Sequence, residues 1–435
     1  MNAHCDALII GAGIIGAAVG FELAKAGYKT LNVDKRPAAG CGSTGNSCAV
    51  IRTHYSTWDG TAMAYESLFH WQDWQNYLGA PDERGYPRYI NTGCVIIKSN
   101  HYDAAQGFRY FRELGIAYEE WDLLTLKAKL PLFDPHAFWP PRRPEDDRFW
   151  DTPTEKISGA IFVPSSGYVS DPQLATHNLQ RAAEAQGGQF RFNCEVVKIR
   201  RAGGRVLGVT LQNGEQIDAP VVVNVAGPHS FVINRLAGVE ADMRIKTRAL
   251  RHEVHFVPAP EGFDYENNGY ICSDGDIGCY SRPEVGNHIL IGSEDPECDP
   301  RQWIDDPDDF NREVTLEQWT AQVYRFARRV PSLGIPQDPA GIVDLYDVSD
   351  DWIPIYDKSD LDGFYMAVGT SGNQFKNAPV VGYLMARLIH ACQSGHDHDQ
   401  EPVKIQCRYT GLTLNAGFYS RRRAINPESS FSVLG

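Results

Sequence analysis

The stretch that most restricts this chain lies near its beginning. Ala7-Leu8-Ile9-Ile10 is a short apolar run, followed at once by Gly11-Ala12-Gly13-Ile14-Ile15-Gly16 and by a small-residue segment, Ala17 to Gly27, that predicts a helix. Lys29 to Val33 reads as a second strand and ends in Asp34. A G-x-G-x-x-G between strand and helix, with an acid about 20 residues on, is the setting in which this motif carries a dinucleotide. Gly11 permits the tight turn, Gly13 lacks the Cβ that would block a pyrophosphate, and Gly16 lets the helix pack closely on the strand. Ile14 and Ile15 lie in the turn just before that helix, whose free N–H groups and positive end would meet the phosphates. Asp34, with Lys35 beside it, is placed to accept hydrogen bonds from a ribose diol. A lone glycine pattern of this kind is weak; this one has all its flanks.

At 435 residues the chain exceeds the size at which one core keeps growing, so more than one domain is expected. Forty-one basic against fifty-five acidic side chains leave a net charge of −14, which argues against a nucleic-acid or anionic-membrane partner. The longest uncharged apolar stretch, Ala7 to Phe21, is too short and glycine-rich to span a bilayer and lacks the features of a signal peptide. A cytoplasmic location is the expectation. The ten cysteines include no C-x-x-C, and neither Cys41/Cys48 nor Cys272/Cys279 has a zinc spacing, so free thiols are expected. His252 and His255 stand three apart in a strand-like run and so face opposite sides. His396 and His398 lie in an acidic turn. No metal is expected.

Along the chain, Lys35 to Ser47 is a loop rich in Gly, Ala, Pro and Ser. A helix is predicted from Thr61 to Leu78, whose aromatic stripe of Tyr65, Phe69, Trp71 and Trp74 reads as core. Cys94 to Ile97 is a strand, and Tyr102 to Leu114 a helix. The proline-rich segment 131–153 predicts a long irregular stretch: a lid, a docking arm or a surface insertion. Asp171-Pro172 opens a helix as N-cap and first turn. Strands Gln189–Phe192, Glu195–Arg200 and Arg205–Leu211 follow, then Val221–Gly227, a β-branched run expected of a central parallel strand. Its closing Ala226-Gly227 suits close approach to a ligand. From Arg244 to Gly292 the pattern is mostly strands, and Val314 to Val330 is a helix. Gly363 to Val368 reads as a strand running through Gly369-Thr370-Ser371-Gly372-Asn373-Gln374-Phe375-Lys376 into a helix, Ala378 to Ala391, where a second polar or anionic part of a ligand could meet a helix N-terminus.

In this order the chain resembles the D-amino-acid-oxidase-like flavoproteins, and within them the branch of sarcosine oxidases and dimethylglycine dehydrogenases. The resemblance spans nearly the whole chain. It rests on Gly11–Gly16 with Asp34, on Gly42-Ser43-Thr44-Gly45-Asn46-Ser47 leading into Ile51-Arg52, and on Gly167-Tyr168-Val169-Ser170-Asp171-Pro172. Val223 to Pro228, Tyr280-Ser281-Arg282-Pro283-Glu284 and Gly369 to Lys376 complete it. It implies an α/β fold in which a Rossmann-type FAD-binding domain is assembled from separated segments, with an inserted β-rich substrate domain of antiparallel sheet and helices. The expected division gives residues 1–90, 159–243 and 341–395 to FAD binding, 91–158 and 244–340 to the substrate domain, and 396–435 to a C-terminal extension.

The resemblance also implies roles. Gly11, Gly13 and Gly16 would hold the FAD pyrophosphate, Asp34 the adenosine ribose, and the backbone of Val197 the adenine. The loop carrying Gly42, Ser43, Thr44, Ser47, Cys48, Ala49 and Val50 would run along the isoalloxazine. Gly372, Asn373, Gln374, Phe375 and Lys376 would cover its pyrimidine end. Some relatives attach the flavin through a cysteine before the last glycine stretch, or a histidine in the Gly-Ser-Thr loop. Here residues 345–351 contain no cysteine and Asn46 stands in that loop, so non-covalent FAD is expected. Ser293-Glu294 stand where sarcosine oxidases have a histidine, which points away from sarcosine itself.

A flavin takes a hydride at N5 from the carbon bearing nitrogen, so no strong protein base is required. The protein must hold that carbon in place and, for an amino acid, neutralise the carboxylate with Arg or Lys. Arg52, His54, Tyr55, Tyr280, Arg282 and Lys376 are the candidates, and Tyr280 and Arg282 alternate onto one strand face. The expected reaction oxidises the C–N bond of a secondary or tertiary (N-methyl or cyclic) amino acid, with hydrolysis of the imine. Oxygen, a protein or a quinone would accept the electrons. Two other readings stand: oxidation of a 2-hydroxy acid, and a flavin-carrying subunit of a larger electron-transfer assembly, heteromeric or homo-oligomeric.

Overall fold

A computed structural model describes residues 3–99 and 104–434. Its nucleotide-binding half is a six-stranded sheet in the order Gln189–Arg191, Thr30–Val33, Ala7–Ile10, Val221–Asn224, Phe364–Val368, Ile355–Lys358. Neighbours run parallel except the last pair. Helices Pro172–Ala185 and Ala378–Gln393 pack on helix Ile14–Lys25. Alternate strand residues serve different cores: Ile9, Val223 and Ala367 join the cluster under these helices, while Leu8, Val222 and Met366 face a four-stranded sheet on the other side. Burial on both faces explains why these strands read as continuous apolar runs.

The second half is a nine-stranded, largely antiparallel sheet. It runs Gln302–Ile304, Thr247–Pro258, His288–Ser293, Cys279–Glu284, Ile271–Asp274, Cys94–Lys98, Gly159–Val163, Glu119–Trp121. Gly341–Ser349 also pairs with Thr247–Pro258. Helix Leu316–Arg329 packs on this sheet, where buried Arg329 bonds Asp274 at 2.7 Å and Asp276 at 2.9 Å.

The pairings move two expected boundaries. Gly159–Val163 lies between Cys94–Lys98 and Glu119–Trp121, and Gly341–Ser349 lies on Thr247–Pro258, so both belong to the large sheet and not to FAD-binding segments. Their apolar alternation suits either sheet; only their partners decide. The predicted helix Thr61–Leu78 is two helices, Trp58–Gln72 and Trp74–Leu78, meeting at Asp73. Of the predicted helix Tyr102–Leu114, Ala104–Leu114 is helical, and Tyr102 lies outside the described residues. Asp171 caps helix Pro172–Ala185 by accepting from the N–H of Leu174.

The proline-rich segment is held down. The Phe138 N–H donates to Asp276, and the Arg329 guanidinium donates to the carbonyls of Asp134 and His136. Arg143 reaches Glu317 at 3.0 Å. The segment thus packs on the large sheet and its helix Leu316–Arg329. Among the described residues no helix is long and apolar enough to cross a membrane.

Candidate active site

One cavity runs between the two sheets, and its floor is the glycine loop. Gly11 has φ +120°, and a Cβ there would lie 2.4 Å from the carbonyl oxygen of Val225; one at Gly16 would lie 2.3 Å from the Gly11 oxygen. Backbone therefore lies on backbone at both. The buried amide of Asn32 donates to the Gly11 and Gly16 carbonyls and holds this shape from beneath. Gly13 differs: a Cβ there would approach only Thr44 Oγ1, at 3.0 Å, with the cavity beyond. Thr44 also accepts from the Ile14 N–H, while those of Ile15 and Gly16, in the first helical turn, have no helical partner. Asp34 accepts from the N–H groups of Ala12 and Arg36, one on each oxygen, which leaves each a further lone pair. An open glycine cradle, free helix N–H groups and a fixed carboxylate fit the pyrophosphate and ribose of FAD.

The loop from Gly42 to Val50 forms the next wall and is clipped to the large sheet. The Ser43 hydroxyl donates to the Leu345 carbonyl at 2.9 Å, and the Asn46 amide to Asp344 at 2.7 Å. Ala49 sits at φ +49°, in the left-handed region, and its N–H donates to the Ser47 hydroxyl. Cys48 Sγ lies 3.2 Å from the Tyr280 hydroxyl, and burial pushes its thiol pKa up. Tyr280 lies across the strand pair on Gly292, where any Cβ would strike its ring.

The second glycine turn closes the opposite end. Its Gly369 N–H donates to buried Asp347 at 2.6 Å, and the Ser371 N–H to the Asp347 carbonyl. Burial pushes the Asp347 carboxyl up to about 7. The anion that meets this turn's start is thus a side chain of the protein. Gly372 lies on the Tyr346 ring, 2.4 Å from a notional Cβ. Trp71, stacked between Trp74 and Phe375, donates its indole N–H to the Lys376 carbonyl, so of the aromatic stripe Trp71 and Trp74 are core and carry this turn, while Tyr65 and Phe69 are half-buried.

Between the two turns the cavity holds buried bases. Lys376 Nζ donates to the Asn373 carbonyl at 2.7 Å and the Tyr55 hydroxyl at 3.2 Å. Burial, then the charge of Arg52, holds its pKa well below the usual lysine range. Arg52 donates to the carbonyls of His54 and Val433 and lies over the Tyr55 ring, 4.4 Å from its centroid. Neither base has a carboxylate partner among the described residues. His54 is held neutral, well below the ordinary histidine range, by burial, Arg52 and Lys376, and neither ring nitrogen has a partner among the described residues.

Of the residues singled out in the sequence, most line this cavity, including Lys35, Cys48, Ala226, Gly227 and Asn373 to Lys376. Lys35 spans the cleft to Asp308 and His229. Three residues fall elsewhere. Arg282 shares a strand face with Tyr280, but it donates to the Cys48 carbonyl, pairs with Glu284 and lies over Tyr168, outside the lining. It fastens the flavin-side loop to the large sheet and is not a pocket cation. Val197 is 43% exposed; an irregularity in the pairing between Val196 and Lys198 turns it outward, and residues 194–196 reach the cavity in its place. Tyr55 stands one layer back, behind Asn373 and Lys376.

The structure adds lining residues that the sequence reading passed over in this role. His252 stacks on Tyr346 at 4.1 Å and pairs with Asp295 at 2.9 Å. Ser273 and Glu294 face the cavity from neighbouring parts of the large sheet. The departure at Ser293-Glu294 was the one sequence signal for them.

A family model described as FAD dependent oxidoreductase, DAO, matches residues 6–388. The chain is 23% identical over 411 residues to the glycine oxidase of Geobacillus kaustophilus, covering 91% of this chain and 96% of that protein. It is 24% identical over 395 residues to the sarcosine oxidase subunit beta of Rhodobacter capsulatus, covering 88% and 84%. Among solved structures, L-proline dehydrogenase from P. horikoshii superposes with a TM-score of 0.73 at 19% identity, covering 97% of this chain and 98% of that one. Glycine oxidase from Geobacillus kaustophilus follows at 0.71 and 20%, covering 98% and 100%. At such identities these superpositions speak for a shared fold.

Proposed function

The chain belongs to the DAO family of FAD-dependent oxidoreductases, and within it we propose that it oxidises the C–N bond of a secondary or tertiary (N-methyl or cyclic) amino acid. One observation carries this reading: Arg52 and Lys376, both buried and without a carboxylate partner among the described residues, line the cavity that the glycine loop opens into. Two buried bases that make no ion pair suit a ligand that brings its own anion. The amino-acid and N-methyl amine names of the relatives support the same class.

Bound FAD supplies the hydride acceptor. Gly11, Gly13, Gly16 and Asp34 would hold its pyrophosphate and ribose, and the loop from Ser43 to Ile51 with Gly372 to Lys376 would line its ring system. Arg52 and Lys376 orient the substrate carboxylate, so the carbon next to nitrogen is presented in one pose. His54, kept neutral between them, adds no charge to that site. Tyr280 and Tyr346 wall off water from the large-sheet side. The Cys48 thiol stays protonated, and Asn46 stands in the same loop, which supports non-covalent FAD.

Anaerobic bleaching of the flavin tests the reading. N-methyl and cyclic amino acids should bleach it, and simple amines without a carboxylate should not. Bleaching by 2-hydroxy acids alone would replace this reading with the hydroxy-acid one. Acid precipitation should leave the yellow colour in the supernatant; colour in the washed pellet would show a covalent link.

A further inference from the structure

Glu294 follows strand His288–Ser293, and its N–H donates to the Gly278 carbonyl, which extends the pairing with Cys279–Glu284 by one residue. The backbone there is fixed, and the side chain is delivered to the cavity beside Ser273. Ser273 Oγ donates to Oε1 at 2.6 Å. Oε2 has no hydrogen-bond or ion-pair partner among the described residues, and Gly275 leaves space next to it, a notional Cβ standing 3.6 Å away.

The other acids nearby each have a partner. Asp274 pairs with Arg329 and Asp344 with Asn46, whereas Asp295, paired with His252, and Asp347, bonded to the Gly369 N–H, each keep a second oxygen fully buried, and Asp295 does not line the cavity. Burial, with Asp274 and Asp295 adding to it, pushes the Glu294 carboxyl up to about 8, against the opposing Ser273 bond and the Arg52 charge. Cys94, which also lines the cavity, feels Arg52, Glu294 and Lys376 together. The cavity thus carries two bases on the nucleotide-domain side and, on the large-sheet side, Glu294 with an oxygen that no described residue claims. A ligand with an anion at one end and a cation at the other answers both.

Resting on the amino-acid reading above, we propose that Glu294 receives the substrate's ammonium group and takes its proton before oxidation. The step balances: R2NH2+ and the Glu294 carboxylate become R2NH and the Glu294 carboxylic acid. The nitrogen lone pair is then free to support departure of the hydride. An acid held near neutrality is matched to this transfer. Glu294 is therefore a catalytic residue, and it favours amines over hydroxy acids, which bring no such proton.

The test uses the FAD-loaded enzyme, with flavin absorbance as the binding signal. Two ligands of the same shape are titrated: 2-aminoisobutyrate, which has no α-hydrogen to lose, and pivalate, which has a methyl in place of the ammonium. The parent should prefer 2-aminoisobutyrate by about tenfold to a hundredfold, the range of a charged hydrogen bond. Glu294→Gln should lose that preference while keeping its pivalate affinity, and Glu294→Asp should recover part of it. The rise of kcat/KM with pH, set in the parent by Glu294 among Asp274, Asp295 and Arg52, should move upward in E294Q toward the free amine's own value. Equal preference in parent and E294Q, or an unchanged pH profile, overturns the role of Glu294 and leaves the amino-acid reading standing. If neither ligand perturbs the parent's flavin, the amino-acid reading falls and this role with it.

Discussion

The chain makes two glycine turns between a strand and a helix, and they work in opposite ways. In the first, glycines bring backbone against backbone, and the helix N–H groups of Ile15 and Gly16 stay available at the cavity. In the second, four N–H groups are used internally: Gly369 and Ser371 donate to Asp347, Asn373 to the Thr370 carbonyl, and Asn377 to the Gln374 carbonyl. What the second turn presents is side chains, Asn373, Gln374 and Lys376, packed against Tyr55 and Tyr346. The same glycine spelling therefore gives one turn with free main-chain N–H groups at the cavity and another that positions a buried lysine. Glycine marks close approach; the neighbouring acids decide what approaches.

Substitutions can break this contrast. The largest effect is expected at the first turn: Gly13→Val fills the pyrophosphate's place and should yield a colourless, folded chain, checked by the flavin-to-protein absorbance ratio. A normal ratio would mean that the phosphates lie elsewhere. At the second turn, Lys376→Met should keep the flavin and lower kcat/KM by about tenfold to a hundredfold, the worth of one charge-assisted hydrogen bond. Loss of flavin without loss of turnover per flavin would reverse the two roles.

The depressed pKa of Lys376 sharpens the second role. In the empty cavity the amine loses its proton well below the usual lysine range, and a bound carboxylate draws the proton back. Carboxylate binding should therefore take up a proton and weaken as pH rises, by up to about tenfold per pH unit within that window. Titration of pivalate across pH shows it, and the slope should flatten in Lys376→Met. The smallest effect belongs to Asp347. Its folded pKa is raised to about 7, so the folded state favours the protonated acid. The stability this contributes is present below the ordinary carboxylate range and is lost as pH rises to about 7. Asp347→Asn keeps an acceptor for Gly369 and removes the titration, so its melting temperature should be flatter than the parent's across that range.

Legibility in the sequence follows the same division. The first turn is local: strand, loop, helix and acid lie within Ala7 to Asp34, and pattern alone delivers them. The second turn was legible as a place but not as chemistry, because Asp347 comes from a different sheet. Arg282 shows the limit of periodicity. Its face was read correctly, yet the Cys48 carbonyl that claims it lies 234 residues away. Val197 was displaced by an irregularity that leaves no mark in the residue types. Strands Gly159–Val163 and Gly341–Ser349 have the right composition for either sheet, so their partners had to be seen.

The interleaving of the nucleotide sheet has a consequence for how the protein comes into being. Strand Ala7–Ile10 finds its neighbour only at Val221–Asn224, and that strand finds its other neighbour only at Phe364–Val368. During synthesis at about 5–20 residues per second, roughly 20 to 70 seconds separate the first glycine turn from the second. The early turn leaves the ribosome without the Val225 carbonyl it packs on, and with apolar strand edges unpaired. Such long-range pairing slows folding and exposes edges to aggregation. The nascent chain must therefore be sheltered for most of its translation, and the FAD cradle is complete only after some six-sevenths of the polypeptide has been made.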